Sequence, residues 1–196
     1  MKRAVFLDRD GVINTSCGVD QFGHLESPLR LEDLMIFPYV GKCILRLNQL
    51  GFLVFIVTNQ PAIAKGKMSL DELVKIHTTI RCHIYDFGGN LKKIYTCLHH
   101  PDSTQVKVKS LLKNCDCRKP KPGMLLQAKK EYDIDLQKSW MVGDSWKDIM
   151  AGQSTGCQTI LVRPTEFELK QTQPDFSVYT LNEAVAIIEK EWKKNH

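Results

Sequence analysis

Five short runs, each stopping abruptly and each separated from the next by a helix-patterned segment, constrain this chain more than any other feature: Ala4–Leu7, Phe52–Val57, Leu91–Cys97, Trp140–Val142 and Thr159–Val162. Most are apolar throughout, and all are too brief for a helix, so they read as strands buried on both faces. Between them the apolar positions change period. Val40, Ile44, Leu45 and Leu47 give a stripe over Tyr39–Leu50, which Gly51 stops. A second helix starts at Ser69, whose spacing to Glu72 makes a capping box, and runs through Leu73, Val74, Ile76, Ile80 and Ile84 to Gly88-Gly89. Pro122 opens a third helix, through Tyr132. A fourth begins near Ser145 and ends before Gly156; Phe176–Tyr179 adds an edge strand and Glu183–Trp192 a closing helix. Strands alternating with helices predict an α/β fold, a doubly wound Rossmann-like parallel sheet with right-handed crossovers and helices on both faces. No repeat or linker divides it, so residues 1–196 are expected to form a single domain.

In such sheets ligands bind beyond the carboxyl ends of the strands. Asp8, Thr58 and Asp144 each follow or close a predicted strand and so converge on one edge. The first strand runs into Asp8-Arg9-Asp10-Gly11, and extended geometry sends side chains i and i+2 to the same side. Two carboxylates so placed repel each other unless a cation sits between them. Carboxylates are hard oxygen ligands suited to Mg²⁺ with a substrate phosphate, and a carboxylate can also act as a phosphoryl nucleophile. Lys119 would neutralise phosphate charge and Thr58 would donate to a phosphate oxygen. Taken singly, Thr58 also suits a turn and Asp144 a helix cap.

Cysteine spacing supplies the second constraint. Cys97-x-His99 precedes Cys115-x-Cys117 by fifteen residues, and three thiolates with one imidazole match a closed tetrahedral Zn²⁺ site. His100 competes with His99 for the fourth position. Such a site would pin an otherwise irregular stretch, His99–Pro122, and present Arg118-Lys119 to phosphate. The cysteines number seven and belong in a reducing compartment, so a metal is expected rather than disulfides.

Composition excludes more than it selects. The hydrophobic share is 43% and the charged share 25%, as in globular chains. No apolar run approaches the roughly 20 residues of a membrane span, and the N-terminal apolar stretch breaks at Asp8, too early for a signal peptide. A cytoplasmic, membrane-free protein is expected. Net charge is +5, which fits an anionic ligand and argues only weakly for nucleic acid, although Lys107–Lys121 is a basic segment.

These motifs together, Asp8–Gly11, Thr58, Lys119 and Gly143–Asp148, resemble the haloacid dehalogenase superfamily of phosphohydrolases. The resemblance implies Asp8 as nucleophile and Asp10 as general acid and base. It implies Mg²⁺ held by Asp8, the Asp10 carbonyl and Asp144, with Asp148 in support. Thr58 and Lys119 would bind the transferring phosphoryl group. Phe6–Gly11, Thr58-Asn59-Gln60 with Ala64–Lys67, Cys97–Pro101 and Cys115–Met124 narrow the likeness to the branch containing heptose bisphosphate and histidinol-phosphate phosphatases. That branch carries the structural zinc loop, lacks a separate cap domain, and implies that Thr58, Asn59, Gln60, Arg118 and Lys119 contact substrate. The expected partner is a small phosphorylated metabolite, a sugar bisphosphate, and the expected state a monomer. Pro61-Ala62 replaces the branch's usual small pair after the Gln, and Ser145 replaces its usual cation, with Lys147 two residues away. Histidinol phosphate, a polynucleotide 3′-phosphate and a zinc-stabilised nucleic-acid module are the rival readings; no kinase P-loop accompanies the second.

Overall fold

A computed structural model describes residues 1–18 and 26–194. Six parallel strands form one sheet: β1 (Ala4–Leu7), β2 (Leu53–Asn59), β3 (Leu91–Cys97), β4 (Trp140–Gly143), β5 (Gln158–Val162) and β6 (Phe176–Val178). Their order is β3-β2-β1-β4-β5-β6. Each of the five runs is a strand, and the edge strand is β6. The α-helices among the described residues are α1 (Val40–Gln49), α2 (Leu70–Asp86), α3 (Gly123–Tyr132), α4 (Trp146–Gln153), α5 (Glu166–Gln171) and α6 (Leu181–Lys194).

The strands alternate although both sets of side chains are apolar. Val5, Leu7, Val54 and Ile56 pack with α1, α2 and α6, through Ile44, Leu47, Ile76, Ile80, Ala184 and Ile188. Ala4, Phe6, Phe55 and Val57 pack on the other face with Met124, Leu125 and Ala128 of α3. Phe6 stacks on Phe55 at 5.5 Å between centroids, and Tyr132 meets Phe55 edge-on at 5.0 Å. Truncating Phe55 would cost about 3–5 kcal/mol, the range for a buried aromatic.

Local chemistry sets the ends of the helices, with two departures from expectation. Ser69 Oγ accepts from Glu72 N at 3.1 Å, but the box is not reciprocal: Glu72 Oε1 accepts from Leu31 N at 2.6 Å and ties α2 to the segment after Pro28. The reciprocal box belongs to α4, where Ser145 Oγ caps Lys147 N and Asp148 Oδ2 accepts from Ser145 N at 3.1 Å. Helix α5 has no apolar stripe in the sequence. It forms because Thr165 caps Glu168 N at 3.2 Å, and it packs against α4.

Candidate active site

The strand order places β1 between β2 and β4, so the chain segments leaving these three strands meet at one edge. Asp8 N donates to Val142 O at 2.9 Å, fixing the start of the first loop against β4. The carboxylates of Asp8, Asp144 and Asp148 then bring one oxygen each within 4.8 Å of one another. Two glycines permit this. Gly11 has φ +80, and a Cβ there would lie 1.8 Å from Asp144 Oδ2; a Cβ on Gly143 would lie 2.1 Å from Asp148 Cβ. The Asp144 and Asp148 side chains lie where those methylene groups would be.

Lys119 enters this cluster from the opposite side of the site. It is 3% exposed, with Nζ 2.9 Å from Asp8 Oδ1, 2.5 Å from Asp148 Oδ1 and 2.7 Å from the Val57 carbonyl. Asp8 Oδ1 also accepts from Arg9 N at 2.7 Å, so both contacts fall on one oxygen and leave Oδ2 uncommitted to them. One lysine does not balance three acids. Burial, then the Asp148 charge, push Asp8 up to about 7 despite Lys119. Burial with Asp8 and Asp148 drives Asp144 far above the carboxylate range. Hard oxygen donors, close packing and excess negative charge fit a divalent cation.

Asp10 shares the loop but stands in a different environment. Its Oδ1 accepts from Arg9 Nη2 and Asn14 Nδ2, each at 2.9 Å. Its Oδ2 accepts from Ser27 Oγ at 2.8 Å and Gln60 Nε2 at 2.7 Å. Burial opposes ionisation, but Arg9 and the other donors outweigh it and hold Asp10 below its ordinary value. Arg9 is wholly buried and also faces His77 Nε2 at 3.4 Å. The two aspartates predicted to act together are thus tuned in opposite directions.

Thr58, buried at the end of β2, accepts from Gln60 Nε2 at 2.9 Å and keeps its own hydroxyl proton to donate. Gln60 and Asn59, expected at the substrate, bond within the protein. Gln60 is 0% exposed and bridges Asp10 and Thr58. Asn59 clamps the backbone of Lys119, its Nδ2 donating to Lys119 O and its Oδ1 accepting from Lys119 N, both at 3.1 Å. Asn59 still borders the cavity of about 380 Å³ that holds Asp8, Asp10, Thr58, Arg118, Lys119 and Asp144.

A second cavity of about 290 Å³ adjoins the first, sharing Ser27, Pro61, Arg118 and Lys147 with it. Lys65, Lys67 and His100 line it too. Lys67 pairs with Glu26. Arg118, whose Nη1 donates to His99 O at 3.2 Å, and Lys147 are both pulled below their ordinary values, first by burial, and Arg118 presses on Lys147 as a like charge. Arg118 and Lys65 likewise depress His100 after burial. Crowded cations of this kind mark a site for an anion. Asn14 and Ser27 were missed in the sequence because they lie on irregular loops with no period and no recognisable spacing; Lys65 lies inside the Ala64–Lys67 motif, and Lys147, noted as the cation nearest Ser145, stands in the first turn of α4.

Cys97, His99, Cys115 and Cys117 also meet, with their ligand atoms within 4.8 Å of one another. Cys115 Sγ lies 3.5 Å from Cys97 Sγ and 3.1 Å from Cys117 Sγ, and His99 Nδ1 lies 3.4 Å from Cys117 Sγ. Ligand pairs around a tetrahedral zinc with bonds of about 2.3 Å lie roughly 3.5–4 Å apart, so the donor set fits that ion. His100 faces away from this group, its Nδ1 accepting from Asp102 N at 3.3 Å. Burial favours the neutral thiol at Cys97 and Cys117; at Cys115 the hydrogen bonds from Cys117 and Cys97 outweigh burial and lower the thiol. All seven cysteines are free of disulfides. The basic segment 107–121 is not one exposed face: Lys119 is buried in the acidic cluster, and Lys121 turns to Asn114 at 3.0 Å.

A HAD-hydrolase-like family model matches residues 116–184. The D-glycero-β-D-manno-heptose-1,7-bisphosphate 7-phosphatase of Pasteurella multocida (strain Pm70) is 38% identical over 168 residues, 83% of each chain. The chain belongs to the haloacid dehalogenase-like phosphatases. The D-glycero-α-D-manno-heptose-1,7-bisphosphate 7-phosphatase of Photorhabdus laumondii is also 38% identical, over 79% of this chain and 78% of its own. A crystal structure of D,D-heptose 1,7-bisphosphate phosphatase from B. bronchiseptica, complexed with magnesium and phosphate, superimposes with a TM-score of 0.78 at 30% identity, covering 97% of this chain and 99% of that one. The sheet edge that gathers Asp8, Thr58, Lys119 and Asp144 is the carboxyl edge, where α/β sheets bind ligands. No helix among the described residues is long and apolar enough to cross a membrane.

Proposed function

We propose that this phosphatase removes the 7-phosphate of D-glycero-D-manno-heptose 1,7-bisphosphate in a Mg²⁺-dependent reaction through an aspartyl-phosphate on Asp8. The observation that carries the substrate choice is the cation-lined cavity of Lys65, Arg118 and Lys147 opening from the carboxylate centre. It suits a substrate with a second anionic group and repels one with an ammonium, which disfavours histidinol phosphate. The names of the relatives point the same way.

Asp8 Oδ2 attacks phosphorus in line, and the bond to the sugar oxygen breaks as the bond to Asp8 forms. Lys119 and the Thr58 hydroxyl hold the non-bridging oxygens, where charge spreads in the transition state. Asp10 gives a proton to the departing sugar oxygen. It is ionised in the resting site and takes that proton from solvent when a phosphate dianion beside it adds negative charge. Water then attacks the phosphoenzyme while Asp10 takes its proton back, which frees phosphate and restores Asp8. Mg²⁺ held by Asp8, Asp144 and the Asp10 carbonyl, with Asp148 anchoring Lys119 behind them, would supply the positive charge that lets an anionic nucleophile approach an anionic phosphate. Zinc on Cys97, His99, Cys115 and Cys117 would take no part in the chemistry and would fix the loop that delivers Arg118 and Lys119. Such a thiolate site suits a reducing compartment, which supports a cytoplasmic location.

Phosphate release measured with Mg²⁺ on both anomers of the heptose bisphosphate and on histidinol phosphate tests this. Preference for a bisphosphate anomer is expected. Faster turnover of histidinol phosphate would overturn the substrate and keep the mechanism.

A further inference from the structure

Arg163 follows β5 in a left-handed backbone conformation, φ +53, which residues with a Cβ rarely adopt. The edge strand holds it there, since Arg163 N donates to Val178 O at 2.7 Å. From this position the side chain reaches the loop that carries Asp8 and Asp10, and Nη2 donates to the carbonyl of Gly11. The guanidinium also lies 5.3 Å from the centre of the Phe37 ring, and Phe37 N donates to Ile13 O at 3.0 Å. Two carbonyls of one loop, Gly11 and Ile13, are therefore held by one stacked Arg–Phe unit. The grip falls at the tightest point of the centre: a Cβ on Gly11 would lie 1.8 Å from Asp144 Oδ2 and 3.1 Å from Arg163 Nη2. Arg163 does not border the cavity that would hold substrate.

The geometry points to Arg163 as a positioning residue that locks the Gly11 carbonyl and so sets the separation of Asp8 and Asp144. The inference rests on the reading of those carboxylates as the Mg²⁺ centre. Positioning and simple charge make opposite predictions. Removing a cation beside a carboxylate cluster strengthens cation binding by Coulomb's law. Releasing the loop weakens it, because the carboxylates no longer meet without reorganisation.

Mg²⁺ titrated calorimetrically into wild type, Arg163→Gln, Arg163→Gly and Arg163→Lys, without substrate, separates the two. Turnover of p-nitrophenyl phosphate is followed in parallel. Arg163→Gly relaxes the left-handed backbone while deleting the grip, so it remains informative if Arg163→Gln fails to fold; Arg163→Lys serves if both do. The Gln and Gly variants are expected to bind Mg²⁺ about tenfold more weakly and to lose roughly ten- to a hundredfold in kcat with KM little changed. The Lys variant should recover part of both. Equal or tighter Mg²⁺ binding in the Gln or Gly variant, or unchanged kcat, would overturn the inference. Absence of Mg²⁺ binding in wild type would instead sink the reading of the carboxylate centre itself.

Discussion

The two clusters of metal-fitting side chains are built in opposite ways. The carboxylate centre draws its acids from the ends of β1 and β4 and the first turn of α4, with Lys119 from a remote loop, and opens onto a cavity. The thiol cluster draws on one strand end and the loop that follows it, within 21 residues of sequence, Cys97 to Cys117, and its four donor atoms lie within 4.8 Å of one another, close enough to close around one tetrahedral ion. An open centre with unbalanced charge can bind a substrate anion and do chemistry. A closed one can only hold the chain together. Their coupling is Arg118-Lys119, which follows directly on Cys117: Arg118 donates to His99 O, and Asn59 clamps Lys119 from the sheet.

The sharpest way to separate the clusters is Asp8→Asn. Phosphate release should fall by a factor on the order of 10⁴ or more, as for removal of any covalent nucleophile. The melting temperature should hold or rise, since one of three crowded acids loses its charge. Activity near wild type would refute the assignment of Asp8.

Cys115→Ser tests the other side. Zinc content measured by atomic absorption should drop below stoichiometry, and Tm should fall by roughly 10 °C, given about 2–4 °C per kcal/mol for a chain of this size. Turnover should fall with it because Lys119 loses its support. Full zinc in this variant would break the proposed ligand set; lost zinc with intact turnover would break the coupling.

Lys65→Ala, and Lys147→Ala where the two cavities join, probe the cationic cavity. Each should raise KM for a sugar bisphosphate by about tenfold, the worth of one charge-assisted contact, and leave KM for a monophosphate unchanged. Equal effects on both substrates would remove the second anion from the reading.

The smallest effect concerns His77 beneath the carboxylate loop. Burial, then the Arg9 charge, hold its pKa down to about 4, against 6.5 for a free imidazole. Between those values the unfolded chain binds a proton that the folded one refuses, so stability falls as pH drops from 6.5 to 4, by about 3 kcal/mol at full effect. Above pH 6.5 both states are neutral and the penalty is absent. His77→Gln should flatten the decline in urea midpoints over that window; an unchanged slope would assign it to other groups.

Much of the architecture was legible because strand and helix periods are local. The run Leu91–Cys97 coincides with β3, and Pro122 and Ser69 mark the starts of their helices. The α-helix that the sequence hid among the described residues, α5, is short and held by a cap and by α4 rather than by an apolar stripe. At the site, Asp8, Asp144, Lys119 and the Cys97, His99, Cys115, Cys117 set were readable from position and spacing. Gln60 and Asn59 were not, since Thr58-Asn59-Gln60 leaves open which amide faces substrate and which is bonded internally. Asn14, Ser27 and Arg163 gave no signal of any kind.

The sequence by itself determined the alternation of strand and helix, the polar residues that end each strand, and the three thiols that, with His99 or His100, suit one metal ion. These depend on near neighbours and on side-chain chemistry that no fold can change. Tertiary structure decided what each polar group bonds to. It gave Asp10 four donors and left Asp8 among like charges, put Arg9 in the interior, and brought Arg163 to Gly11 across 152 positions. Charge and hydrogen bonding act through space over a few ångströms, and chain separation carries no record of which groups packing will bring that close.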